Sequence, residues 1–254
     1  MASKSRIFFS AVYLATFAVF GFIGLALIYS TLPELPRRAS QRLPPLTEWL
    51  LNPRLEEIGI LREICLAYLA SRPLTVLSLF CGGYIFLQSL AIPGAVILSA
   101  LAGALYGPVA GLALVSVCAT LGSFGCRLLY QWVGAPFVEG RLARLRDQVE
   151  VQRRDGNLFW FFLFLRVTPI IPNWLLNVVS AHVGIPSNIF LLGSLIGLLP
   201  NNILMVSLGA GVSSGLTGSF SEHAGPYRFL VMFGLGLLAL LPIGLRRVVK
   251  LRVE

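Results

Sequence analysis

Carboxylates are what this sequence lacks most. Only 12% of its 254 residues are charged, and Asp occurs just twice, at 147 and 155. Residues 73–126 contain no Asp, Glu, Lys or Arg, and residues 167–221 contain none either. With 56% hydrophobic residues and a mean hydropathy of +0.81, the chain is too apolar for a soluble domain of this size. Each uncharged run is longer than two bilayer crossings of about 20 residues. Neither run shows the alternating polarity of a membrane β-barrel. The fold class expected is therefore an all-α polytopic membrane protein.

Other absences narrow the function. Two histidines (His182, His223) and two aspartates assemble no nucleophile, acid–base or metal constellation, so neither an enzyme nor a cofactor is expected. No Gly-x-x-x-x-Gly-Lys-Ser/Thr loop is present to bind a nucleotide as fuel. Cys65, Cys81, Cys118 and Cys126 have no metal or redox spacing and read as small hydrophobes. No Asn-x-Ser/Thr glycosylation site occurs. The net charge of +9 does not indicate nucleic-acid binding, because the positives stand at the ends of apolar runs. Lys4 and Arg6 precede the first run, and Arg246, Arg247, Lys250 and Arg252 follow the last. That distribution sets topology and touches headgroups, with both termini in the cytoplasm.

What remains can be ordered along the chain. Ile7 to Tyr29 is uncharged and longer than a signal-peptide core, with no small-x-small cleavage site after it, so it reads as a retained anchor. Residues 30–45 form a Pro- and Arg-rich linker. From 53 to 70 the pattern is amphipathic, with Ile58, Leu61, Cys65 and Tyr68 on one face of an interfacial helix. A span at 74–90 leads to Pro93-Gly94, a strong breaker pair, and then to Gly103, Gly107 and Gly111 with Pro108. About 22 Å of helix separates Pro93 from Pro108, short of a crossing. Two half-helices folded back as a re-entrant hairpin are expected within 91–108. Residues 112–133 read as a span whose Arg127 snorkels to the interface. Residues 139–154, with five arginines, read as an amphipathic helix on the cytoplasmic surface. A span at 189–211 is interrupted by Pro200-Asn201-Asn202, a loop covers 212–226, and 229–245 is the last span. The domains expected are an anchor (1–29), a linker with amphipathic helix (30–72), a membrane domain (73–215) and a C-terminal span with basic tail (216–254). The order amphipathic helix, short apolar segment, broken hairpin and Gly-containing span occurs twice, at 53–133 and 139–211. Paired broken hairpins point to a transport site near mid-membrane.

The second hairpin carries the chemistry. In "FLFLRVTPIIPNW" (162–174), Pro169 and Pro172 remove two N–H donors and free the carbonyls of residues 165 and 168. Such backbone survives at membrane depth only inside protein or along a wet cavity. Arg166 lies one turn before the break. Asn173 and Asn177 share a helical face, and His182 follows a turn later. No carboxylate lies near in sequence to neutralise Arg166. It therefore binds neutral oxygens or meets a visiting anion, such as a lipid phosphate.

Three segments carry a family likeness: "AIPGAVILSALAGALYGP" (91–108), "FLFLRVTPIIPNWLLNVVS" (162–180) and "GSLIGLLPNN" (193–202). With Phe162 and Arg166 as an aromatic-x-x-x-Arg element, they resemble the VTT-domain, or DedA-like, superfamily. The likeness is greatest to the eukaryotic transmembrane protein 41 group, with vacuole membrane protein 1 a more distant relative. It spans about residues 73–215. It implies two facing re-entrant hairpins and, for the eukaryotic branch, phospholipid scrambling in the endoplasmic reticulum, in the context of autophagy. Bacterial members carry acids in the first hairpin and are linked to proton-coupled movement of lipid-carrier phosphates. Here residues 91–108 hold no acid, which favours passive, bidirectional movement.

The headgroup path is accordingly expected past Arg166, Thr168, Pro169, Pro172, Asn173, Asn177, His182, Arg127 and Asn201, in a groove open to water. Hairpin shape and packing are expected from Pro93, Gly94, Gly103, Gly107, Pro108, Gly193, Gly197 and Pro200. Partners expected are phospholipids and the membrane, with lipid-transfer proteins or a second copy of the chain as further candidates. Two other functions fit the same pattern: an ion- or proton-coupled transporter of a lipid phosphate, and a membrane scaffold.

Overall fold

In a bilayer every backbone donor and acceptor must be satisfied within the chain, and uncharged runs of this length do so as helices. The computed structural model describes residues 2–33, 55–92, 94–133, 139–168 and 171–213. Pro93, Pro169, most of the linker and everything expected after residue 213 lie outside the described residues. Among those described there are nine helices and no strand. They are α1 (Ala2–Tyr29), α2 (Leu55–Ser71), α3 (Pro73–Ser89), α4 (Ala95–Val133), α5 (Glu139–Arg154), α6 (Leu158–Val167), α7 (Asn173–Ser180), α8 (Ser187–Gly197) and α9 (Leu199–Ser213). Among the described residues, three stretches are long and apolar enough to cross a membrane: Val12–Tyr29, Ala95–Gln131 and Ser187–Gly211. The protein is an integral membrane protein built of helices.

The helix α4 is two arms. Gly107 holds φ 77° and ψ 177°, a conformation open to glycine and strained for other residues. Pro108 follows it. A Cβ on Gly111 would lie 2.8 Å from the carbonyl oxygen of Ala102. Nine residues of straight helix would separate those two positions by about 13 Å. The chain therefore doubles back at Gly107. This corrects the position of the first hairpin. Residues 95–106 form one short arm, and the returning arm is the long helix that continues to Val133. The reason is that Gly94, with φ 148°, only opens the segment before α4, while Gly107-Pro108 makes the reversal.

Around this doubled helix the core assembles. Ala102, Val115, Cys118 and Ala119 of α4 pack with Phe80 and Tyr84 of α3, Leu198, and Val206 of α9. Close backbone approach makes the joint between the short arm and α9. A Cβ on Gly103 would lie 1.9 Å from the Val206 carbonyl oxygen, and one on Gly209 1.7 Å from that of Ala100. The helix α2 is not simply interfacial. Arg62 Nε donates to the carbonyl oxygen of Ala104 at 3.0 Å, and Tyr68 Oη donates to that of Pro33 at 2.9 Å. Ala104 is four residues before Pro108, which offers no N–H, so its carbonyl needs a donor from elsewhere. The anchor α1 leans on α3 by stacking Phe17 on Phe86, with centroids 6.1 Å apart. None of Val12–Tyr29 is buried, as suits a helix wrapped in lipid.

Candidate functional site

The helices α6 and α7 have 10 and 8 residues, about 15 and 12 Å long, half the ~30 Å hydrocarbon core. They are joined by the proline segment, with Pro172 capping the start of α7. Apolar periodicity presses α6 onto α8. A Cβ on Gly193 would lie 2.5 Å from the Phe162 ring, and one on Gly197 2.6 Å from Arg166 Cβ. Those two glycines bring α8 against the face of α6 that holds Arg166.

Arg166 is 2% exposed. Its Nη2 donates to Asn177 Oδ1 at 2.6 Å and to Ser194 Oγ at 2.7 Å. Its Nη1 reaches the Asn173 carbonyl oxygen at 3.3 Å and Asn173 Oδ1 at 3.4 Å. Its Nε is buried without a partner. The guanidinium carbon stands 5.3 Å from the Phe162 ring centroid and 5.0 Å from that of Phe190. Every acceptor is a neutral oxygen. The ion pairs among the described residues join Glu150 to Arg153 and Arg154, outside this site. A cation is thus buried between half-helices with no countercharge among the described residues.

The groove open to water expected here is closed in this conformation, which corrects that expectation. Asn177 is fully buried, and it and Ser194 supply the oxygens that water or phosphate would otherwise offer. Thr168 is also buried, and its hydroxyl donates back to the Phe164 carbonyl, closing the end of α6. Pro172 is exposed beside the half-exposed Trp174. His182 does not join the group. Its Nδ1 pairs with the Val178 carbonyl at 3.0 Å in the turn after α7. In α9, it is Asn202 that is buried, with Nδ2 unpartnered, while Asn201 is half-buried. Pro200 lies in the first turn of α9, where a missing N–H costs nothing.

Arg127 does not snorkel. It is 9% exposed, and its Nη2 donates to the Ile185 carbonyl oxygen at 2.7 Å. Two further arginines, from α5, hold the same turn. Arg146 Nε donates to the His182 carbonyl oxygen at 2.8 Å, and Arg153 Nη2 donates to that of Gly184. The surface helix expected at 139–154 therefore spends two of its arginines on backbone. The turn attracts them because carbonyls at a helix C-terminus lack partners and carry partial negative charge.

Ser194 is the site residue that sequence reasoning missed. It lies 28 positions from Arg166, and a serine among aliphatic residues gives no signal of its own beyond its one-turn spacing from Phe190 and Gly197.

The chain is similar in sequence to known membrane proteins. A model of the VTT domain matches residues 92–211. Over 93% of its length the chain is 34% identical to a protein of Arabidopsis thaliana described as an uncharacterized membrane protein, covering 79% of it. It is 29% identical to Transmembrane protein 41B of Xenopus laevis over 90% of its own length and 80% of the relative's. For Transmembrane protein 41B of Mus musculus the figures are 28%, 90% and 76%. No solved structure matches.

Proposed function

The chain belongs to the VTT-domain family, and from that premise we propose that it is an energy-independent, bidirectional phospholipid scramblase. Headgroups pass between the α6/α7 hairpin and the doubled α4, while acyl tails remain in lipid. One observation carries this reading: Arg166 is a buried cation whose four bonds all go to neutral oxygens, in the last turn of a helix too short to cross. A buried, unpaired charge costs several kcal/mol. An arriving phosphate would recover that cost through charge-assisted bonds to the guanidinium fork. Because the site is closed, transport requires α7 to part from α6 and α8, exchanging Asn177 and Ser194 for phosphate oxygens. Both short arms act as re-entrant hairpins in this scheme. No covalent bond is made or broken, so the protein is not an enzyme.

Residence in the endoplasmic reticulum follows from the likeness to the eukaryotic branch, and the basic ends support cytoplasmic termini. Lipid-transfer proteins or a second copy of the chain are the partners to look for. The test is a dithionite quench of fluorescent phospholipid in liposomes holding the purified full chain. Nearly complete quenching without nucleotide is expected, against half in empty vesicles. Arg166→Gln should slow the second phase at least about tenfold, and Arg166→Lys less, since a point charge replaces the fork. Half quenching with the wild-type chain, shown to be folded, overturns the proposal.

A further inference from the structure

Arg127, expected on the headgroup path, has donors that the contacts described so far leave unused. Arg127, on the returning arm of α4, is more than nine-tenths buried, and only its Nη2 is bonded. Its Nε and Nη1 are buried with no partner. A guanidinium has five N–H donors and no means of discharging them by deprotonation. No described carboxylate meets it, since the described ion pairs involve only Glu150. Its carbon stands 5.1 Å from the centroid of the Phe190 ring, and that of Arg166 stands 5.0 Å from the same centroid. The two cations are therefore no more than about 10 Å apart, with one aromatic ring in contact with both. Phe190 is itself fully buried, its ring centroid 5.6 Å from that of Phe162 and 6.3 Å from that of Phe124.

We propose that Nε and Nη1 of Arg127 form a second oxyanion site, adjoining Arg166 across Phe190, that takes the phosphate of a phospholipid headgroup. The ring faces both guanidiniums while the sites are empty and shifts aside as a phosphate is handed from one to the other. At this separation the phosphate never faces hydrocarbon without a cation in reach. The handover rests on the scramblase reading, whereas the binding at Arg127 does not. A free phosphate ion offers the same oxygens, so the experiment must separate it from a headgroup.

The measurement is the thermal unfolding midpoint of the full chain in a neutral sugar detergent. It is titrated with dihexanoyl phosphatidylglycerol, with inorganic phosphate and with dihexanoylglycerol. A ligand that binds only the folded chain raises the midpoint saturably. The phosphatidyl ligand is expected to raise it for wild type, to a lesser degree for Arg166→Gln, and not at all for the Arg127→Gln/Arg166→Gln pair. Arg127→Lys keeps a cation and a donor for Ile185 and controls for folding. If Arg127 only anchors the turn, its loss lowers the starting midpoint but the double variant responds as Arg166→Gln does, and the proposal fails. An equal response to inorganic phosphate alone removes the headgroup from it. In liposomes, Arg127→Gln should slow scrambling at least about fivefold. Wild-type protein that binds the lipid in detergent but does not scramble overturns the transport reading and leaves the site standing.

Discussion

Arg166 holds two kinds of bond. Those to Asn177 and Ser194 are short and buried, at 2.6 and 2.7 Å, while those to Asn173 are 3.3 and 3.4 Å at a half-buried residue. Bonds to charged groups contribute about 1.5–3 kcal/mol when well made. Asn177→Ala is therefore expected to cost roughly that much stability, and Asn173→Ala less than about 1 kcal/mol. Denaturant-induced unfolding in micelles checks the order; equal losses would contradict it. The same geometry explains how far the site was legible. Asn173 and Asn177 could be placed together because four residues make one helical turn, and Arg166 because proline forces the hairpin. Ser194 and the burial of Asn202 were not, since they depend on how α8 and α9 meet the hairpin. Neighbouring residues such as Asn201 and Asn202 point about 100° apart on a helix, so sequence alone does not say which faces inward.

Between elements, backbone proximity decides what each glycine tolerates. At Gly209 an added Cβ would meet a carbonyl oxygen at 1.7 Å, whereas at Gly24 nothing lies within 4 Å. Gly209→Ala should push α9 off the short arm of α4 and cost about 1–3 kcal/mol, the range for overpacking. Gly24→Ala should be neutral or stabilise α1 by up to about 1 kcal/mol through helix propensity. Comparing their unfolding midpoints tests the assignment, which fails if the two behave alike. Gly-x-x-x-Gly spacing announced close packing at 103, 107 and 111, yet the three glycines do different work. Gly103 admits α9, Gly107 makes the reversal and Gly111, on the returning arm, admits the short one. Spacing alone records small residues; the partner and the backbone angle are set by tertiary contacts. The bonds of Arg146 and Arg153 in α5 were not legible for a related reason. Arginine donates to carbonyls as well as to phosphate, and the turn at 182–185 supplies carbonyls within the chain.

Across the whole molecule, the interior of the described bundle holds two cations and no acid. A carrier driven by protons or sodium needs a group that changes charge or binds the ion with the cargo, and arginine stays charged throughout the physiological range. Among the described residues, His182 is the histidine near the hairpin. Its Nδ1 is engaged with Val178 and its carbonyl oxygen with Arg146, beyond Asn177, the last residue of α7 bonded to Arg166. Nothing links its protonation to the site by a described bond. Scrambling is therefore expected to equalise a labelled phospholipid between leaflets and to go no further. Imposing a transmembrane pH or sodium gradient should leave both the rate and the even final distribution unchanged. The decisive measurement is the fraction of label protected from dithionite at long times, with and without the gradient. Accumulation beyond one half in either leaflet, following the sign of the gradient and lost in His182→Gln, would show that the bundle couples ion movement to lipid movement after all.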